Sequence, residues 1–188
     1  QWCKGDYLRA NAHGAQEIAV IESRLGRRQD DHPDAIDYSA PSLMVLNGRY
    51  VGSTRQAEDT DNLNPSNKGV IEHSGDRDVF QFHANRSDFI LLRIERMNQG
   101  GADLVARLYD SQRRLVVQSA PDGDATPIID YLAPTAGTYF LEISAGSWGN
   151  PLADPPTGWT QYGSVGQYYI NGEIGAWTRY KEMNLVSG

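Results

Sequence analysis

Gly75-Asp76-Arg77-Asp78-Val79-Phe80-Gln81-Phe82-His83-Ala84 is the stretch on which the fold turns. Over residues 79–84 the chain alternates with a period of two, Phe80 and Phe82 on one face and Gln81 and His83 on the other, which is the pattern of a β-strand with one dry face. The same period recurs outward from it. Ile90, Leu92 and Ile94 oppose Arg93 and Glu95 within 89–97, and Leu104, Ala106 and Leu108 oppose Arg107. A turn at Asp110-Ser111-Gln112-Arg113 leads to a partner strand over 115–118. Tyr139, Leu141 and Ile143 alternate with Phe140, Glu142 and Ser144, as Tyr168 and Ile170 do with Tyr169 and Asn171, and 43–46 and 69–72 are shorter candidates. Strand signals at intervals of roughly ten residues, with no alternation of strand and helix, predict an all-β fold: an antiparallel β-sandwich of Greek-key or jelly-roll character.

Residues 1–28 read differently. Ile18, Ile21 and Leu25 fall near one face of a helix over 15–25, with Glu17, Glu22 and Arg24 elsewhere and Gly26 as its stop. A lone helix cannot bury its own apolar face, so it is expected to dock on a body beyond this chain in preference to the sandwich. The organisation read from sequence is therefore a helical segment over 1–28, a β-sandwich over 29–176 and a tail over 177–188 in which Trp177 and Tyr180 are the packing candidates.

The chain has 188 residues, 39% of them apolar, enough for one substantial core. Its formal charge of -7 and pI near 5.0 disfavour nucleic acid and anionic membranes as electrostatic partners. No stretch approaches the roughly 18 to 20 apolar residues of a membrane span. Cys3 is the single cysteine, so no disulfide forms within these residues.

Chemistry concentrates in two acidic segments, Asp30-Asp31-His32-Pro33-Asp34 and Ser74-Gly75-Asp76-Arg77-Asp78. Carboxylates this crowded repel one another unless a cation or an arginine compensates them, and hard oxygen ligands in loops are what Ca²⁺ selects. The expected metal ligands are Asp30, Asp31 and Asp34 from the entry segment and Asp76 and Asp78 from the strand edge. The competing reading has these groups capping turns or pairing with Arg27, Arg28 or Arg77. The histidines lack HExxH spacing, and GxSxG, GxxxxGK[ST] and strand-linked GxGxxG signatures are missing, so the chain is not expected to be an enzyme by itself. The acidic loop over 54–68 reads as a solvated excursion or a second cation site, and Asn85-Arg86-Ser87 is a glycosylation sequon only in a eukaryotic secretory setting. The Gly- and Pro-rich segment 146–166 carries Trp148, Trp159 and Tyr162, which either pack on the sandwich or bind an extended polymer or a neighbouring protein.

From about 30 to 174 the chain resembles a bacterial pre-peptidase C-terminal domain. The likeness rests on Gly69-Val70-Ile71-Glu72, Gly75 to Phe82 as quoted above, Asp103-Leu104 with Leu108-Tyr109-Asp110, Ala136-Gly137-Thr138-Tyr139-Phe140-Leu141 and Tyr162-Gly163-Ser164-Val165-Gly166-Gln167-Tyr168, in that order. The resemblance implies a β-sandwich attached to a secreted protease. In some members, the collagen-binding domains of clostridial collagenases among them, Ca²⁺ sits where an N-terminal linker meets a strand-edge loop. The head, Gln1-Trp2-Cys3-Lys4-Gly5-Asp6-Tyr7 with Asn11 and the helix, is similar to the closing segment of metzincin-type zinc metalloproteases. No zinc-binding helix is present to carry catalytic residues over, and Cys3 stands where that family usually has Ser.

Three functions follow as expectations. The first is a secreted, extracellular, noncatalytic accessory domain of a metalloprotease, stabilised by Ca²⁺ and serving folding, targeting or substrate attachment, with the upstream catalytic domain as partner. The second is a structural or adhesive assembly protein built on the same sandwich. The third is a carbohydrate-binding module with Trp148, Trp159 and Tyr162 as stacking platforms for a polysaccharide.

Overall fold

A computed structural model describes residues 17–43, 45–46, 50–51, 67–97, 102–122 and 126–176. The opening run with Cys3, the acidic loop from 54 to 66 and the tail 177–188 lie outside the described residues.

Among the described residues one α-helix, α1 (Glu17–Leu25), precedes ten strands: β1 (Val45–Leu46), β2 (Tyr50–Val51), β3 (Lys68–Ile71), β4 (Arg77–Ala84), β5 (Asp88–Arg96), β6 (Leu104–Tyr109), β7 (Leu115–Ser119), β8 (Ile128–Leu132), β9 (Gly137–Ala145) and β10 (Gly166–Ala176). They form two sheets in which every strand pairs antiparallel. One runs β1-β2-β10-β5-β8, with β3 also paired to β10; the other runs β4-β9-β6-β7. The chain crosses between layers repeatedly, β3 in one sheet and β4 in the next, so the segment joining them sits on the rim of the sandwich.

Period-two patterning determines which side chains meet between the layers. Ile90, Leu92, Ile94, Ile129, Ile170 and Tyr168 face Phe80, Phe82, Leu104, Leu108, Tyr139, Leu141 and Ile143, each at most 4% exposed. Side chains of this size contribute on the order of 2 kcal/mol apiece on full burial, so the core dominates the fold's stability.

Sheet edges expose unpaired backbone groups, and the edge at β4 is strapped by the entry segment. Val79 N donates to Pro33 O at 3.2 Å, Gln81 N to Pro41 O at 2.9 Å, and Leu43 N to Gln81 O at 2.9 Å. The Gln81 side-chain amide donates to Ala40 O at 2.6 Å. On the outer face of the sheet, Ala40 packs with Val79 and Phe140, with Ile36 and Tyr109 against them. The strap thereby lays Asp30, Asp31 and Asp34 beside the rim.

Helix α1 ends at Gly26, whose φ of +81° is accessible to glycine and whose N–H closes the last turn on Glu22 O at 2.9 Å. Val20, Ile21 and Leu25 stay exposed at 58%, 38% and 83%. A bond from Ile18 N to the Tyr162 hydroxyl at 3.0 Å links the helix to the sandwich.

Candidate metal centre

The rim is built from two directions. β3 ends at Ile71, and Glu72 begins a tight loop in which Glu72 N donates to Asp76 Oδ2 at 2.7 Å and Asp76 N donates to His73 O at 3.1 Å. β4 then carries Asp78 into the interior, where it is 0% exposed. From the strap, Asp30 Oδ1 accepts His32 N at 2.9 Å, Asp34 Oδ1 accepts Arg77 N at 3.0 Å, and Asp31 Oδ1 accepts Val70 N at 3.4 Å. Each of these backbone donors holds one carboxylate oxygen and so aims the other.

The result is convergence. Asp30, Asp31, Glu72 and Asp78 each offer an oxygen within 4.8 Å of the others, and Asp30, Asp34 and Asp76 form a second such group around the shared Asp30. The five aspartates expected from sequence come together. Glu72 was not among the expected ligands; it reads as the last residue of a short strand, and the available signal was its spacing of four from Asp76.

The electrostatics of this cluster are unbalanced. Asp78 Oδ1 and both oxygens of Glu72 are buried without a hydrogen-bond donor. Arg28 Nε approaches Glu72 Oε1 to 3.5 Å, but its side chain is 41% exposed while that of Glu72 is 4% exposed. Burial, relieved in part by the Tyr168 hydroxyl and reinforced by Asp31, Asp76 and Asp30, pushes the Asp78 carboxyl up to about 9. Burial likewise drives Glu72 upward, followed by the adjoining Asp76 carboxyl and the charges of Asp31 and Asp78. A site that protonates at neutral pH when left alone is one that a dication can discharge.

The donor set fits a hard cation. Oxygens about 2.4 Å from one Ca²⁺ lie at most about 4.8 Å apart, and six to eight of them complete its shell. Zinc is a poor match, because nitrogen and sulfur donors are missing from the cluster. His32, 3% exposed, directs Nε2 at Lys68 O across 2.7 Å. Since a carbonyl only accepts, that nitrogen carries the hydrogen. The His32 ring sits 4.5 Å from the Phe80 ring, so it anchors the strap by packing and hydrogen bonding.

Behind the cluster, Tyr168 of β10 donates its hydroxyl to Asp78 Oδ2 across the core. Gly69 makes the room: a Cβ there would overlap the Tyr168 hydroxyl and lie 2.6 Å from Asp78 Oδ2. Burial and Asp78 hold the Tyr168 hydroxyl protonated.

A polar pocket of about 330 Å³ adjoins the rim on the outer face of β6 and β9. In it Glu142, 3% exposed, accepts Arg107 Nη1 at 2.8 Å and the Tyr109 hydroxyl at 3.3 Å, and Arg107 Nη1 also reaches Ser144 Oγ at 2.9 Å. This is a compensated network, unlike the carboxylate cluster.

The aromatic segment lies elsewhere. Trp148 and Trp159 form a two-residue antiparallel bridge through N–H···O bonds of 3.0 and 2.8 Å, their rings 5.4 Å apart and tilted by 54°. Both are half-buried and pack on each other, and Tyr162 is engaged by the backbone of α1. These three side chains do not form one flat row.

No protein-family model matches the chain, and no curated protein matches it. Among solved structures it is similar to the pre-peptidase C-terminal domain of a collagenase from Bacillus anthracis, with 16% identity and a TM-score of 0.35 over 57% of this chain and 83% of that one. No helix among the described residues is long and apolar enough to cross a membrane.

Proposed function

We propose that this chain is a noncatalytic accessory domain whose entry segment is locked to its sandwich by Ca²⁺. The observation that carries the reading is the meeting of Asp30, Asp31 and Asp34 from the strap with Glu72, Asp76 and Asp78 from the rim, around buried oxygens that no donor satisfies. The ligands come from two segments far apart in sequence, so an ion bound to both ties the strap to the rim. Binding only the folded form, it also stabilises the fold. The consequence for whatever precedes the strap is a fixed direction of exit.

Sites of this kind load where Ca²⁺ is abundant, at dissociation constants of roughly 0.1 to 1 mM in extracellular modules, which favours an extracellular setting for the domain. The residues that resemble a pre-peptidase C-terminal domain support attachment to a secreted protease, and the head that resembles a metzincin closing segment supports a zinc metalloprotease as the upstream body. The apolar face of α1, with Val20 and Leu25 exposed, is the surface such a body would cover. The domain's own part is mechanical: it folds, orients and presents. Calorimetric titration of the chelated protein with Ca²⁺ tests the reading. Saturable binding that rigidifies residues 29–43 is expected; no heat at millimolar Ca²⁺ would refute it.

A further inference from the structure

The outer face of the β4-β9-β6-β7 sheet carries two arginines that the metal reading does not use. Arg77 of β4 pairs with Ser144 of β9, and Arg107 of β6 pairs with Glu142 of β9. β4 and β6 flank β9 at about 4.8 Å each, so the two arginine stems rise about 10 Å apart across it. Arg107 leans along the sheet toward Ser144, since its Nη1 reaches both Glu142 Oε1 at 2.8 Å and Ser144 Oγ at 2.9 Å. Both arginines line the polar pocket of about 330 Å³, which the rim loop at Ser74 and Gln161 help to wall.

The pocket holds more donors than its own acceptors take up. Arg107 commits Nε to Gln118 Oε1 at 2.9 Å and Nη1 to Glu142 and Ser144, which leaves its Nη2 donors without an acceptor among the described residues. Arg77 is tied through its backbone N–H to Asp34 Oδ1 at 3.0 Å, and its exposed side chain makes no hydrogen bond or ion pair with the described residues. The lining carboxylates are already engaged. Glu142 accepts Arg107 through Oε1 and the Tyr109 hydroxyl through Oε2, while Asp76, 2% exposed, accepts Glu72 N and belongs to the carboxylate cluster. Burial and then Glu142 push the Tyr109 hydroxyl up, and Arg107 and Arg77 pull it back, so both positive charges act at that one oxygen.

We propose that this pocket is a carboxylate-binding site, in which a monoanionic carboxylate, free or borne on a peptide, lies over Ser144 and is held by Arg107 Nη2 and the Arg77 guanidinium. Guanidinium forks match the two oxygens of a carboxylate in spacing and plane. The lining sets two cations against two carboxylates, so one added negative charge is admitted more readily than the two of a phosphate or sulfate. A sugar is a poorer match, because its hydroxyls need acceptors that Glu142 and Asp76 no longer offer. The volume lies at the small end for ligand sites and suits the end of a peptide or one acidic side chain. No bound ion is needed.

NMR of the arginine side-chain N–H groups in the full chain tests this. Excess chelator keeps the result apart from the ion, and at about pH 6 the metal-free fold is more stable than at neutrality while the ligand stays ionised. Titration with N-acetylglycine is expected to move the Arg77 and Arg107 Nε signals saturably, whereas N-acetylglycinamide, its uncharged counterpart, leaves them in place. The α-amide of N-acetylaspartate presents a side-chain carboxylate instead, and whichever acid binds more tightly identifies the source. Arg77→Gln, a change at an exposed side chain, should weaken the better ligand at least about tenfold, read at Arg107, with the urea midpoint unchanged. Four results would overturn the proposal: signals that stay still in millimolar acid, an amide that acts as well as the acid, sulfate that binds more tightly than either acid, or affinity that survives Arg77→Gln.

Discussion

Asp78 makes the stability of the metal-free protein run against pH in an unusual direction. Its carboxyl ordinarily ionises near 3.8 and is pushed to about 9 in the fold, chiefly by burial. Folding therefore takes up a proton wherever the unfolded carboxyl is ionised. The stability this protonation preserves is complete below about pH 4 and drains away as pH rises toward 9, by about 1.4 kcal/mol per pH unit. Between about pH 4 and pH 7 the metal-free fold loses about 4 kcal/mol through this one group, and Glu72, shifted the same way, adds to the slope. Asp110 acts oppositely: its burial is outweighed by bonds from Arg114 and Gln112 that lower its carboxyl, so its contribution is lost only as pH falls through the acidic range. Urea unfolding in excess chelator, followed by tryptophan fluorescence at about pH 5, 7 and 9, reads the balance. With a urea slope of about 2 kcal/mol per molar, the midpoint should fall by about 1.4 M from pH 5 to pH 7 through Asp78 alone, and by more once Glu72 is added. Adding Ca²⁺ at about a hundred times its dissociation constant should return about 2.7 kcal/mol and flatten the dependence. A chelated midpoint that holds steady or climbs with pH would refute the reasoning.

Three further outcomes follow from the same geometry. Asp78→Asn keeps the shape and removes the cost of protonating the buried carboxyl, so the chelated variant should be about 3 kcal/mol more stable than the parent at neutral pH while binding Ca²⁺ at least about tenfold more weakly; unfolding and calorimetry check both signs. Gly69→Ala drives a methyl into the Tyr168–Asp78 bond and should cost about 1–3 kcal/mol in urea unfolding, because backbone, ring and carboxylate all have to move. Arg107→Ala strands Glu142 as a buried, uncompensated carboxylate and should cost about 3–5 kcal/mol, much of it restored by adding Glu142→Gln, measured as a double-mutant cycle.

The sandwich was legible in the sequence because its core strands alternate cleanly: Phe80 with Phe82, Ile90 with Leu92 and Ile94, and Tyr139 with Leu141 and Ile143 are inward in the structure as their period demands. β8 was not anticipated. Its Ile128-Ile129-Asp130-Tyr131-Leu132 places an exposed apolar residue at each end, which blurs the period. Phe140 looked like an outward residue and does point outward, yet the strap buries it, an effect that only tertiary packing produces. At the site, crowded aspartates advertised themselves by spacing, but Glu72 and Tyr168 did not, since each belongs to the cluster through the crossing of two sheets. For Trp148 and Trp159 the sequence leaves both packing on the sandwich and contact with a partner open; their pairing with each other across a bridge is something composition does not encode.

The central claim is that a dication joins the strap to the rim. A crystal structure grown in millimolar Ca²⁺, with anomalous data, tests it most directly. The account predicts an anomalous peak ringed at about 2.3–2.6 Å by oxygens of Asp30, Asp31, Glu72 and Asp78; the same carboxylates turned apart toward solvent with no peak between them would contradict it.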